Sequence, residues 1–189
     1  MKVGILGLGL IGGSFAKALH RISSHTVLGF DTNENTMEAA LAEGIIQEEL
    51  NQENIKSCEL ILLAVRPGAA VDFVKKNKEN IRGTLLDLCG VKRVLEEEIL
   101  PLAKEYQFSY LGGHPMAGRE RGGDDRSLPE LYDKASMIFV ENETSKGLGK
   151  RLEPLFREIG FKKIVYSNSC EHDRIIAYTS QLAHVVSNS

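Results

Sequence analysis

Apolar and polar positions along this chain fall into short blocks of two kinds. Lys2 to Leu6 (KVGIL) is an apolar run that ends in glycines, the pattern of a buried strand. Ile11 to Leu19 then carries Ile11, Phe15, Ala18 and Leu19 on one helical face. Thr26 to Phe30 predicts the next strand, and Glu34 to Ala42 a helix stopped by Gly44, a residue suited to a left-handed cap. Leu60 to Val65 is apolar throughout, as a strand covered on both faces should be, and Pro67 fits the first turn of a following helix. Further strands are predicted at Thr84 to Leu88, Phe108 to Leu111, Ser136 to Val140 and Lys163 to Tyr166. Helices are predicted at Val91 to Glu105 and at Lys150 to Ile159, the latter capped by Gly160. Met116 to Tyr132 shows no period and is expected to be a loop with at most a short helix. Strands alternating with helices at this spacing predict an open, doubly wound, mainly parallel α/β sheet.

The character changes near the end. Ser167, Asn168 and Ser169 offer helix caps, and Glu171 suits the first turn. One long helix is expected from Ser169 onward. Its apolar residues Ile175, Ile176, Tyr178, Leu182, Val185 and Val186 are spread around much of its circumference. The expected division is therefore a sheet domain at 1–168 and, at 169–189, the first helix of a truncated helical domain. Composition narrows the class of protein only a little. A formal net charge of −3 gives no reason to expect nucleic acid or an anionic membrane as partner. No apolar run approaches the length of a membrane span. The three cysteines, Cys58, Cys89 and Cys170, have neither metal nor redox spacing, and are expected as free thiols in the cytoplasm.

Three clusters carry candidate chemistry. Gly7-Leu8-Gly9-Leu10-Ile11-Gly12 follows a strand and opens a helix. Gly7 permits the tight turn, Gly9 leaves room for a pyrophosphate, and Gly12 lets the helix pack on the strand, as in Rossmann domains. Asp31 ends the second strand, where a carboxylate can bond both ribose hydroxyls and repel a 2′-phosphate. That favours NAD over NADP; the bland alternative for Asp31 is a turn residue before Thr32 and Asn33. The second cluster is Gly112-Gly113-His114-Pro115-Met116-Ala117-Gly118, with Glu120 shortly after. His114 is expected just past a strand, at the sheet edge where such folds bind ligands. Local context fits a general base and a turn cap about equally. The third is Glu171-His172-Asp173-Arg174 followed by Thr179-Ser180-Gln181-Leu182-Ala183-His184. Asp173, Ala177, Ser180 and His184 share one side of a helix, which by itself describes a solvated stripe.

Taken together and in this order, the three clusters resemble bacterial prephenate dehydrogenase. The resemblance covers the whole chain, and its His-Pro-Met-Ala-Gly block is far more specific than the glycine fingerprint. It implies an NAD-dependent enzyme of tyrosine biosynthesis that oxidatively decarboxylates prephenate to 4-hydroxyphenylpyruvate, with a helical second domain that forms a homodimer. It makes His114 the catalytic histidine, on the substrate's ring hydroxyl. Glu120 joins the active-site polar network, and His184 lines the substrate pocket. Cofactor contacts fall to Gly7, Gly9, Leu10, Ile11, Gly12, Asp31, Val65 and Arg66. Gly90, within Asp87-Leu88-Cys89-Gly90-Val91-Lys92, stands where the family usually has a substrate-side serine. A water or Lys92 is expected to take the place of that hydroxyl. Gln181 stands where a histidine is common, and Arg66 where a small or apolar residue is common. The arginine that holds the substrate carboxylate is expected beyond residue 189.

The competing readings are an arogenate or cyclohexadienyl dehydrogenase, and a catalytically silent NAD-binding regulatory module. A 3-hydroxyacid dehydrogenase would place a catalytic lysine on the long last helix, and no lysine follows Lys163.

Overall fold

The structure, a computed structural model, describes residues 1–22, 24–117 and 127–187, with side chains to residue 179. The strands are β1 (Lys2–Leu6), β2 (Thr26–Phe30), β3 (Glu48–Glu49), β4 (Leu60–Leu63), β5 (Thr84–Asp87), β6 (Ser109–Met116), β7 (Ser136–Val140) and β8 (Lys163–Ser167). The helices are α1 (Leu10–Ile22), α2 (Glu34–Ala42), α3 (Pro67–Asn77), α4 (Arg93–Tyr106), α5 (Leu148–Ile159) and α6 (Ser169–Ser187). They build one sheet in the order β3-β2-β1-β4-β5-β6-β7-β8. Among the described residues only β6 and β7 pair antiparallel. Chain order reverses between β1 and β4, so the crevice at their carboxyl ends is the topological switch point.

Two apolar layers cover the sheet. One gathers Phe15 of α1 with Tyr132, Phe139, Phe156 and Phe161. Their rings sit 4.3–6.0 Å apart, Tyr132 stacked on Phe161 and the others tilted or edge-on. The other layer places Leu28, Ile61, Leu63 and Leu85 against Val74, Leu95 and Ile99. Local signals set the ends of several helices. The Asn33 side chain accepts the Thr36 amide at 3.2 Å and starts α2. Asn168 does the same for Glu171 at 2.9 Å and starts α6. Gly160, at φ 127°, stops α5.

Three expectations change. β3 and a single 3-10 turn at Ile55–Ser57 were not predicted, because two exposed glutamates and one short turn give no apolar period. β6 does not stop at Leu111 but runs on through His114 to Met116. Gly112 and Gly113 read as punctuation, yet they are strand residues whose neighbours leave no room for a side chain. A Cβ at Gly113 would lie 2.6 Å from Met137 and 2.8 Å from Leu86. Lastly, the segment expected to be a loop contains an anchor: Tyr132 is fully buried and donates to the Ile11 carbonyl at 2.6 Å.

Candidate active site

The fingerprint loop leaves β1 at the switch point. Gly7 has φ +86°, and a Cβ there would meet the Ala64 carbonyl at 2.5 Å. A Cβ at Gly12 would collide with the Gly7 carbonyl. These two glycines are required by the protein's own packing. Gly9 is not: a Cβ there meets no protein atom within 4 Å. Its missing side chain clears space for something outside the chain. The first intrahelical bond of α1 is Gly13 N–H to the Gly9 carbonyl at 2.8 Å. The amides of Leu10, Ile11 and Gly12 therefore have no partner within the helix and are the donors an anion would use. Asp31 lies beside this loop, where its carboxylate accepts the Leu8 amide at 2.8 Å and the Asn33 amide at 2.9 Å. Each oxygen keeps a lone pair for a ribose hydroxyl. The residues present thus fit a dinucleotide.

A cleft of about 410 Å³ continues from Ile11 past Val65 and Arg66 to Cys89 and Gly90. Cys89 donates through its thiol to the Val65 carbonyl at 3.2 Å, joining the two loops that form the wall. Burial and the neighbouring Asp87 push this thiol up to about 12, so it is a wall and not a nucleophile. Gly90 is exposed, and a Cβ on it would meet open space. Lys92 does not take the place of the absent serine hydroxyl. It is 1% exposed, and its ammonium is paired with the fully buried Asp87. Asp87 also accepts the Tyr110 hydroxyl at 2.8 Å and the Cys89 amide at 3.1 Å. Burial pushes Asp87 up, and Lys92 and the two hydrogen bonds oppose it. Glycine at 112 leaves room for the lysine stem, since a Cβ there would lie 3.0 Å from Lys92 Cδ.

His114 extends beyond this buried group. The β5–β6 register ends at Asp87 opposite Gly112, so His114 overhangs the end of β5 on the carboxyl edge of the sheet. It is half-buried, and its Nδ1 lies 2.8 Å from Nε2 of His172. His172 is 2% exposed, and its Nδ1 lies 2.8 Å from Asp173. Asp173 in turn accepts the Lys92 amide at 2.8 Å and the Arg93 amide at 2.9 Å, so a residue of α6 caps the start of α4. Burial, then His172 and Lys92, lower His114 to about 4, with Asp173 pulling the other way. The ring is consequently neutral near pH 7 and able to accept a proton.

The structure thus brings Gly7, Gly9, Leu10, Ile11, Gly12 and Asp31 together at one loop, with Val65, Arg66 and Gly90 along the adjoining cleft. Glu120 lies outside the described residues, as does the side chain of His184. Sequence reasoning placed Lys92 beside the substrate, where the structure instead pairs it with Asp87, and it gave Asp87, His172 and Asp173 no task of their own. For the last two a signal existed: His172 and Asp173 stand within the Glu171-His172-Asp173-Arg174 block that carries the family resemblance.

Comparison with known proteins gives the family of the chain. The family model described as prephenate dehydrogenase, nucleotide-binding domain, matches residues 15–166. The prephenate dehydrogenase of Lactococcus lactis is 26% identical over all of this chain, which spans 52% of that protein, about half its length. The crystal structure of prephenate dehydrogenase from A. aeolicus, in complex with hydroxyphenyl propionate and NAD+, superposes with a TM-score of 0.83 at 27% identity. That match covers 98% of this chain and 66% of that one. Synechocystis arogenate dehydrogenase gives 0.82 at 25% identity, over 96% of this chain and 65% of that one. With its fold, its glycine loop and its match over most of its length, the chain belongs to the prephenate dehydrogenase nucleotide-binding domain family.

Proposed function

We propose that the chain binds NAD and supplies the base for oxidative decarboxylation of prephenate to 4-hydroxyphenylpyruvate. The observation that carries this reading is the position of His114. It is a neutral imidazole overhanging the carboxyl edge of the sheet, beyond a glycine loop that fits a dinucleotide. In this reading His114 Nε2 takes the proton of the substrate's ring hydroxyl. The Gly7–Gly12 loop and Asp31 would hold NAD, which would supply the acceptor for the hydride on the same carbon. Carbon dioxide leaves the opposite ring carbon, its bonding electron pair passes through the ring to the oxygen as the ring becomes aromatic, and His114 returns the proton to that oxygen. The chain's contribution is orientation and a proton acceptor; aromatisation supplies the driving force.

Asp31 is the reason to favour NAD over NADP. Gly90 lines the substrate side of the cleft, and Glu120 and His184 complete the pocket. Residues 169–189 open a helical second domain that pairs two copies of a cytoplasmic enzyme. Half-exposed Ile175 and exposed Tyr178 on α6 support that part of the reading. Arogenate is the second candidate substrate, favoured by the near-equal likeness to the Synechocystis enzyme. Reduced-cofactor production with prephenate and arogenate, each offered with NAD and with NADP, tests the whole reading. With a protein that carries the complete helical domain the expected result is turnover of prephenate with NAD, whereas the 189-residue chain by itself, without the carboxylate-binding arginine, is expected to bind NAD and not to turn over. Preference for arogenate moves the function to the second candidate, and no cofactor reduction with either substrate by the protein with its complete helical domain points to a regulatory binding module.

A further inference from the structure

His172 and Asp173 hold no part of the dinucleotide loop, yet they form a directed chain of hydrogen bonds that ends on His114. The direction can be worked out. Both oxygens of Asp173 face backbone amides, Lys92 on Oδ1 and Arg93 on Oδ2, and an amide can only donate. Partial burial pushes the carboxyl up, but the Arg93 amide, His172 and the Lys92 amide outweigh it, and Asp173 falls below the ordinary carboxylate range. An ionised Asp173 has only lone pairs to offer. The contact with His172 Nδ1 at 2.8 Å therefore needs the hydrogen on that nitrogen. A neutral His172 then has a bare lone pair on Nε2. The contact from there to His114 Nδ1, also 2.8 Å, needs its hydrogen on His114. A neutral His114 with its hydrogen on Nδ1 has a bare lone pair on Nε2. Among the described residues that nitrogen takes no hydrogen bond.

We propose that His172 and Asp173 are positioning residues that hold His114 in the Nδ1–H form, so that its Nε2 is always the proton acceptor. A free imidazole prefers the other form, with hydrogen on Nε2, which could only donate. The pair thus removes a wrong state rather than adding a contact to substrate. Once Nε2 has taken a proton, Nδ1–H still donates to His172, and Asp173 stabilises the positive charge through the second ring. The described charged and titratable groups facing His114 are His172 and Asp173 from α6 and Lys92 from the start of α4. The inference rests on reading His114 as the base, but its test does not use turnover.

The test is two-bond proton–nitrogen correlation spectroscopy on the 189-residue chain labelled at its five histidines, with His114 assigned by loss of its signals in His114→Asn. The expected spectrum shows His114 and His172 both protonated at Nδ1 and bare at Nε2. In His172→Phe, which keeps a ring of similar size and leaves the Asp173 cap in place, His114 should shift largely to the Nε2–H form. Asp173→Asn should move both histidines the same way. Hydrogen on His114 Nε2 in the unsubstituted chain overturns the proposal, and so does a doubly protonated His172. An unchanged His114 pattern in a folded His172→Phe chain also overturns it. If His172→Phe does not fold, the spectrum of the unsubstituted chain still decides. If the Nδ1–H form is found but His114→Asn turns over normally, the tautomer inference stands and the assignment of His114 as base falls.

Discussion

The dinucleotide loop and the histidine group are built from opposite materials. At the dinucleotide end the working groups are main-chain amides, and the side chains matter mostly by being absent. Gly7 and Gly12 are needed because backbone comes too close, and Gly9 because something else must. At the histidine end the working groups are side chains from β5, β6, the start of α4 and α6, and most of them are buried. A site made of backbone is as stable as the turn that holds it. A site made of buried polar side chains is stable only while every partner is present, because one orphaned charge costs more than the pair contributes.

That contrast sets the order of expected effects. The largest is on turnover. In a protein that carries the complete helical domain, His114→Asn should lower kcat by about 10²–10⁴-fold while NAD affinity, measured by titration, barely changes. The acid limb of kcat/KM should fall well below pH 6.5. Burial lowers His114 to about 4, so its proton-accepting form persists as the medium turns acidic and is lost only near that value. A near-normal kcat would leave His114 a structural residue. The next effect is on stability. Asp87→Ala leaves the Lys92 ammonium buried without a partner and should cost about 3–5 kcal/mol in denaturant unfolding. Asp87→Leu combined with Lys92→Met should recover most of that, and a mild single variant would show that the buried pair does not hold this end together.

At the backbone end the effects should be smaller and confined to binding. Asp31→Ala removes a charged acceptor from the ribose position and should weaken NAD by roughly 10–100-fold, narrowing the gap to NADP. Isothermal titration with both cofactors checks this, and equal affinities before the substitution would remove Asp31 from the ribose. The smallest effect should come from Gly90→Ser. The structure shows room for the added atoms, and the backbone there needs no left-handed conformation. Activity and unfolding midpoint should stay within error or rise slightly. A sharp loss would mean that Gly90 makes room for the substrate itself.

The same contrast explains what could be read from the chain in advance. The glycine loop, Asp31 and the alternation of strands and helices are local: each rests on a few consecutive residues whose conformation the sequence restricts. His114 was visible from its motif, but its strand was cut short, because glycines signal a turn unless the neighbours that exclude their side chains are known. Asp87 was placed in a strand and Lys92 beside the substrate, but their pairing was not legible, because only the folded sheet shows that both side chains are buried against each other. His172 and Asp173 were recognised as part of a motif without a task, since the task is defined by contacts to residues some 60 and 80 positions earlier.

The cap that Asp173 places on α4 also has a mechanical meaning. Two backbone amides tie the early part of α6 to the start of α4. That part cannot swing without uncovering the start of α4 and pulling on the imidazole beside it. Displacement along α6 is therefore transmitted through Asp173 and His172 to the His114 ring before it reaches the nucleotide loop.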